Sequence, residues 1–115
     1  MINPVDLGRH SKGTYEKSSN EIEYRCCARS AYYSIFHYFK TIADNLPGGY
    51  DDSLGSHERV IRKLMDSANS SYKEYGVVLS NYRKVRVKAD YKIDASFSKD
   101  EAYKVLRYAE KLFKI

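Results

Sequence analysis

Tryptophan is absent from this 115-residue chain, and proline occurs only at positions 4 and 47. Proline removes a backbone donor and breaks helix interiors, so its scarcity leaves long stretches free to be helical. Nowhere does an apolar run approach the roughly eighteen residues needed to cross a bilayer. The opening segment, Met1 to Leu7, has neither the basic start nor the apolar stretch of a secretory signal. A cytoplasmic location is therefore expected, and a membrane is not an expected partner. The two cysteines, Cys26 and Cys27, are adjacent. Neighbours on a helix point about 100° apart, which makes a disulfide between them geometrically poor. They also lack metal-ligand spacing, so two buried thiols in a reduced compartment are expected, with no metal. Gly48 and Gly49 lack the strand–loop–helix context and trailing Lys-Ser/Thr of a phosphate-cradling loop. With no nucleophile elbow either, no cofactor is implied.

What the chain does contain is basic charge and tyrosine. Lys and Arg number 20 against 15 Asp and Glu, for a net charge of +5. That balance favours an anionic partner, RNA among them, without identifying one. The 12 tyrosines suit helix seams or a subunit interface, because the ring fills apolar space while the hydroxyl seeks a partner. Length and an ordinary balance of apolar and charged residues fit one domain over residues 1–115. There is no internal repeat, low-complexity tract or linker.

Helical periodicity dominates. Pro4 to about Thr14 reads as a short first helix, weakened by Gly8 and Gly13. Asn20 followed by Glu21 and Glu23 reads as the capped start of a second. Its apolar stripe (Cys27, Ala28, Ala31, Tyr32, Ile35, Phe39, Ile42) continues to Asp44. The run Asn45-Leu-Pro-Gly-Gly49 ends it. After a polar loop from Tyr50 to Gly55, Ser56 is expected to cap a third helix marked by Val60, Ile61, Leu64, Met65 and Ala68. A fourth carries Tyr75, Val78, Tyr82, Val85 and Ala89. The fifth opens on a capping box, Ser98 with Glu101, and continues through Ala102, Val105, Leu106, Ala109, Leu112 and Phe113. Its terminal Lys111-Leu-Phe-Lys-Ile115 fits core packing better than membrane contact. The fold class expected is all-α, a compact four- to five-helix up-and-down bundle.

Three stretches resemble a known family. Arg29-Ser-Ala-Tyr-Tyr-Ser-Ile-Phe-His37 resembles the R-A-Y-Y-A-x-F-H signature of HEPN-domain proteins. Ser56-His-Glu-Arg-Val60 is similar to their S-H-x-x-V opening of the third helix, and Arg86-Val-Lys-Ala-Asp-Tyr91 to R-x-x-A-D-Y at the end of the fourth. The likeness spans roughly residues 20 to 113. It implies a helical bundle that usually dimerises and serves in prokaryotic toxin–antitoxin pairs or antiviral defence, often beside a small nucleotidyltransferase acting as antitoxin. Catalytic members of the family are metal-independent endoribonucleases, with an Arg, four to six residues and then a His near the end of the fourth helix, paired across a dimer cleft. Such cleavage uses the 2′-hydroxyl of RNA as nucleophile, a His to move the proton and an Arg to hold the phosphate. This chain departs from that pattern. After Arg86, four intervening residues lead to Tyr91, and no His follows His57. A phenol, with an ordinary pKa of about 10, is a poor general base near neutrality.

The candidate catalytic residues are accordingly Arg86, Tyr91, Arg29 and His37. For Arg29 and His37 a structural reading, Arg29 paired with Asp90 and His37 at a seam, is preferred over a phosphate cleft. The basic run from Arg83 to Lys88 should fan out around its helix, mostly solvated, with Val85 turned to the core. An RNA site would draw its phosphate contacts from there, through Arg83, Lys84 and Lys88. Asp90 and His57 are assigned structural pairing, His57 as a surface or loop-bracing residue, while His10 has no nameable partner. The expected function is RNA or partner binding without ordinary nuclease activity. An endoribonuclease toxin and a protein-binding adaptor without nucleic-acid affinity are the alternatives.

Overall fold

The structure, a computed structural model, describes residues 1–115. It is all-helical: α1 Pro4–Lys17, α2 Glu21–Asp44, α3 Ser56–Met65, α4 Ser70–Tyr91 and α5 Lys99–Phe113. The five-helix bundle expected from periodicity is present. Local signals set most of its boundaries. Asn20 accepts from the Glu23 N–H to start α2, and the Ser98–Glu101 capping box starts α5 as expected. A second capping box, Asn3 with Asp6, starts α1. That helix runs past Gly13 to Lys17, longer than its glycines suggested. α3 departs from expectation. Gly55 holds the N-cap position with no side-chain hydrogen bond, so Ser56 is the first helical residue and not the cap.

α2 lies at the centre and touches all four other helices, with α1 and α5 on one side and α3 and α4 on the other. The three short connections, residues 18–20, 66–69 and 92–98, reverse the chain between antiparallel neighbours. The longer one, residues 45–55, folds back beside the end of α2. Lys63 there donates to the Gly48 carbonyl at 2.9 Å, while His57 sits against Tyr32 and Phe36 further back. α3 therefore runs in the same direction as α2.

The core follows the α2 stripe. Cys27, Ala28, Ala31, Tyr32, Ile35, Phe39 and Ala43 are fully buried, against Val60, Ile61 and Leu64 of α3 and Ala102, Val105, Leu106 and Ala109 of α5. Leu112 and Phe113 pack against this core, with the Phe113 ring edge-on to Tyr38 at 5.5 Å. Of the adjacent cysteines only Cys27 is buried, while Cys26 is exposed. The expectation of two buried thiols fails because the buried arc of α2 takes in positions 27 and 28 and leaves position 26 on the solvent side. Cys27 meets Ser11 of α1, whose hydroxyl donates to the Cys27 carbonyl at 2.9 Å.

α4 buries a stripe offset from the one anticipated. Its buried residues are Gly76, Leu79, Arg86 and Ala89, while Tyr75, Val78, Tyr82 and Val85 pack half-buried at the margin of the core. Gly76 allows the close approach of α3. A Cβ there would lie 3.0 Å from the Ile61 carbonyl oxygen and 3.1 Å from the Met65 nitrogen. No helix is long and apolar enough to cross a membrane.

Candidate functional site

Two arginines on the inward side of α4 define the site. Arg86 lies on the buried stripe, one turn after Arg83, so its side chain is only 7% exposed. Burying a guanidinium is costly unless it is paired and hydrogen-bonded. One nitrogen, Nη1, donates to Asp90 Oδ2 at 3.3 Å, a turn further along the same helix. Around it stand Tyr32, Tyr33 and Tyr91, with ring centroids 5.4, 5.6 and 5.9 Å from the guanidinium carbon. Such aromatic faces offset part of the lost hydration through their quadrupoles. Arg86 Nε is buried with no partner.

α2 supplies the opposite wall. Arg29 is exposed, and its Nε lies 3.7 Å from Asp90 Oδ1. The anticipated pairing of Asp90 is thus present with both arginines. His37, two turns after Arg29, is exposed beside Tyr33 and Phe36. Tyr91 is 72% exposed, at the end of α4 over Arg86.

His57 turns inward. The second residue of α3 faces α2, so the ring is half-buried and lies tilted against Phe36 with centroids 4.5 Å apart. Its Nδ1 shares a hydrogen bond of 2.7 Å with the Tyr32 hydroxyl. Burial, then the positive charges of Arg86 and Arg83 and the proximity of His37, push its pKa down to about 4. Burial likewise holds the Tyr32 phenol above its ordinary value. The bridge therefore joins a neutral imidazole to a protonated phenol near neutral pH. His57 is an internal strut between α2 and α3, not a surface residue.

The run from Arg83 to Lys88 is not mostly solvated, as fanning alone would have it. Arg83 bonds Glu58 of α3 at 3.0 Å, with its Nε buried and unpartnered. Lys88 bonds Glu101 of α5. Only Lys84 is exposed without an acidic partner. Residues 83 and 86 fall on the face that meets α2 and α3, and helix geometry forces them inward. Beside Arg83 a shallow groove of about 290 Å³ is lined by Glu58, Ser80, Arg83, Lys84, Val87 and Lys92. No grouping of three or more His, Cys, Asp or Glu is placed to hold a metal. His10 is exposed.

One residue that positions the site was not anticipated. Arg25, 9% exposed, donates to the carbonyls of Lys88 at 3.2 Å, Ala89 at 3.1 Å and Lys92 at 3.1 Å, and to that of Ala95. Glu21 steadies it at 3.4 Å, and Phe97 lies under its guanidinium at 5.5 Å. Arg25 thereby supplies donors to the C-terminal end of α4, where backbone carbonyls lack helical partners. It fixes the turn that carries Asp90 and Tyr91. Its signal was available: position 25 belongs to the buried series 25, 28, 32, 35, 39, where a charged residue must be paired.

Three stretches far apart in the chain thus meet around one guanidinium: Arg29 to His37, His57 with Glu58, and Arg86 to Tyr91. The model of the HEPN domain matches residues 13–115, nearly the whole chain. The chain is a HEPN domain. No curated protein and no solved structure matches it significantly. In this HEPN domain the position expected to carry the catalytic histidine carries Tyr91, and the nearest imidazoles come from α2 and α3.

Proposed function

We propose that this HEPN domain binds RNA by gripping its phosphates, through Arg86 and Arg29 first and through Arg83 and Lys84 along the α3–α4 groove, without cleaving it. HEPN domains are a family with RNA-binding and ribonuclease roles in toxin–antitoxin and defence systems. The observation that carries the reading is the Arg86 centre itself. A buried, caged guanidinium opens towards exposed Arg29 and Tyr91, with a phenol where proton transfer would require an imidazole. His57 does not substitute. With its pKa near 4 it is uncharged at neutrality, so it has no proton to give as an acid and is a weak base, and its Nδ1 is occupied by Tyr32. Lys88, bound to Glu101 on the α5 side, contributes less than Lys84.

The setting that follows is a cytoplasmic toxin–antitoxin or defence pair. In it the domain is a homodimer or is bound to a nucleotidyltransferase-type antitoxin. Tyr91 and Ile93, both exposed, offer apolar surface beside the site at the end of α4.

Labelled RNA incubated in EDTA with wild type, Arg86→Ala and His37→Ala tests the reading. The expected result is binding without cleavage, weakened in Arg86→Ala and falling steeply as salt rises. Cleavage by wild type that both variants lose would establish the endoribonuclease instead, with His37 as the exposed imidazole. Absence of salt-dependent RNA binding would leave the protein-binding adaptor.

A further inference from the structure

A guanidinium carries five N–H donors, and the protein engages that of Arg86 through one nitrogen, Nη1 to Asp90 at 3.3 Å. The other Asp90 oxygen lies 3.7 Å from Arg29 Nε. One carboxylate is thus suspended between two guanidinium groups from two helices, one oxygen towards each. Both separations exceed the roughly 2.7–2.9 Å of well-made charge-assisted bonds. Asp90 is also badly placed by its own helix. It is the penultimate residue of α4, where the negative end of the helix dipole disfavours a carboxylate. Only the two arginines hold it there, and its side chain keeps 18% exposure, an opening to solvent. Convergent arginine forks match the several oxygens of a phosphate, spread around one centre, better than a lone carboxylate.

We propose that Asp90 is the built-in occupant of a phosphate site, and that a phosphate group enters between Arg29 and Arg86 by displacing its carboxylate. This rests on the RNA-phosphate reading above for its biological ligand. The intramolecular competitor weakens the site at rest and makes Asp90 the residue that sets its affinity.

The test compares wild type, Asp90→Asn and Asp90→Asn/Arg29→Ala. Each is melted in inorganic phosphate and in chloride at matched ionic strength, and titrated with labelled single-stranded RNA. Asp90→Asn leaves Arg86 buried without its counter-charge, so it should melt below wild type in chloride. Phosphate should raise its melting temperature saturably, a gain that in wild type is smaller and needs higher phosphate, and that is lost when Arg29 is also removed. Phosphate stabilisation no greater in Asp90→Asn than in wild type overturns the proposal. So does a variant that stays unfolded in saturating phosphate, because phosphate should supply the missing charge. The RNA arm reports on the broader reading separately. Removing one opposing charge should tighten RNA binding about tenfold, equivalent to about 1.4 kcal/mol. If neither protein binds RNA while phosphate still rescues Asp90→Asn, the site stands and the RNA reading falls.

Discussion

Replacing Arg25 by methionine keeps the volume of the stem and removes every donor, so it isolates the polar role of this residue. Four carbonyls lose a partner: those of Lys88, Ala89, Lys92 and Ala95. They are not equivalent. The Lys88 carbonyl still accepts from the Lys92 N–H at 3.1 Å. Lys92 is exposed and Ala95 half-buried, so water can replace the guanidinium there. The Ala89 carbonyl belongs to a residue 4% exposed, with no other protein donor. Leaving it unsatisfied costs about 1–3 kcal/mol, and each bond from a charged donor carries a net of roughly 1.5–3 kcal/mol where water cannot fully substitute. The cation–π contact with Phe97 adds about 0.5–1 kcal/mol. Part of this is returned, because the methionine no longer buries a charge. A net loss of about 3–4 kcal/mol follows, a large share of the 5–15 kcal/mol typical of a domain. With a urea m-value of about 2 kcal/mol/M, the midpoint should fall by roughly 1.5–2 M when unfolding is followed by circular dichroism. Amide exchange should also accelerate first in the last turn of α4. A loss below about 1 kcal/mol, with that turn still protected, would refute the clamp and leave Arg25 as a stem that merely fills space.

Other consequences can be checked as directly. Gly76→Ala should destabilise by about 1–3 kcal/mol in the same urea assay, because the new Cβ meets the α3 backbone at 3.0 and 3.1 Å and overpacking is costly. Gly8→Ala should come out near neutral: its neighbours are the flexible ends of Phe113 and Ile115, at 3.1 and 3.2 Å, and alanine returns about 1 kcal/mol of helix propensity. His57 has a folded pKa of about 4, below its unfolded value, so its contribution is complete above the ordinary pKa of about 6.5 and is lost as pH falls towards 4. After discounting for partial exposure, about 1 kcal/mol should disappear between roughly pH 7 and pH 5, and His57→Gln should flatten that part of the thermal-melt profile. Tyr32→Phe removes the bridge to His57, and should both lower stability by about 1 kcal/mol and move the His57 imidazole resonance in NMR, which an unbonded ring would not show.

Much of the bundle was legible because its signals are local. Asn20, the Ser98–Glu101 box and the breaker from Asn45 to Gly49 act through the backbone of a few neighbouring residues, and the structure uses all three. The small and aliphatic stripe on α5 also landed in the core as expected, and on α3 Val60, Ile61 and Leu64 did, while Met65 is exposed and Ala68 lies beyond the end of the helix. α4 misled because its tyrosines and valines are amphipathic enough to sit at the margin. Its most buried positions include a glycine and an arginine, which apolar counting overlooks. Cys26 went wrong for a simpler reason, since position 26 falls outside the buried arc of α2 that Cys27 and Ala28 share. Arg25 escaped notice because charge was read as solvent exposure, although its position on the stripe argued otherwise.

The residues of the site were nearly all nameable from the chain, but their states were not. Arg29, Asp90, Arg86 and Tyr91 could be singled out by motif, and so could the missing histidine after Arg86. Periodicity and caps, which depend on near neighbours, determined the five helices and their composition. Only the tertiary structure decided that Arg86 is buried, that Asp90 bridges two arginines from different helices, and that His57 is neutral and bonded to Tyr32. Burial and electrostatic field depend on groups distant in sequence, and Tyr32 and His57 are 25 residues apart. No local pattern carries that information, because the same side chains on separated helices would be solvated, charged and independent.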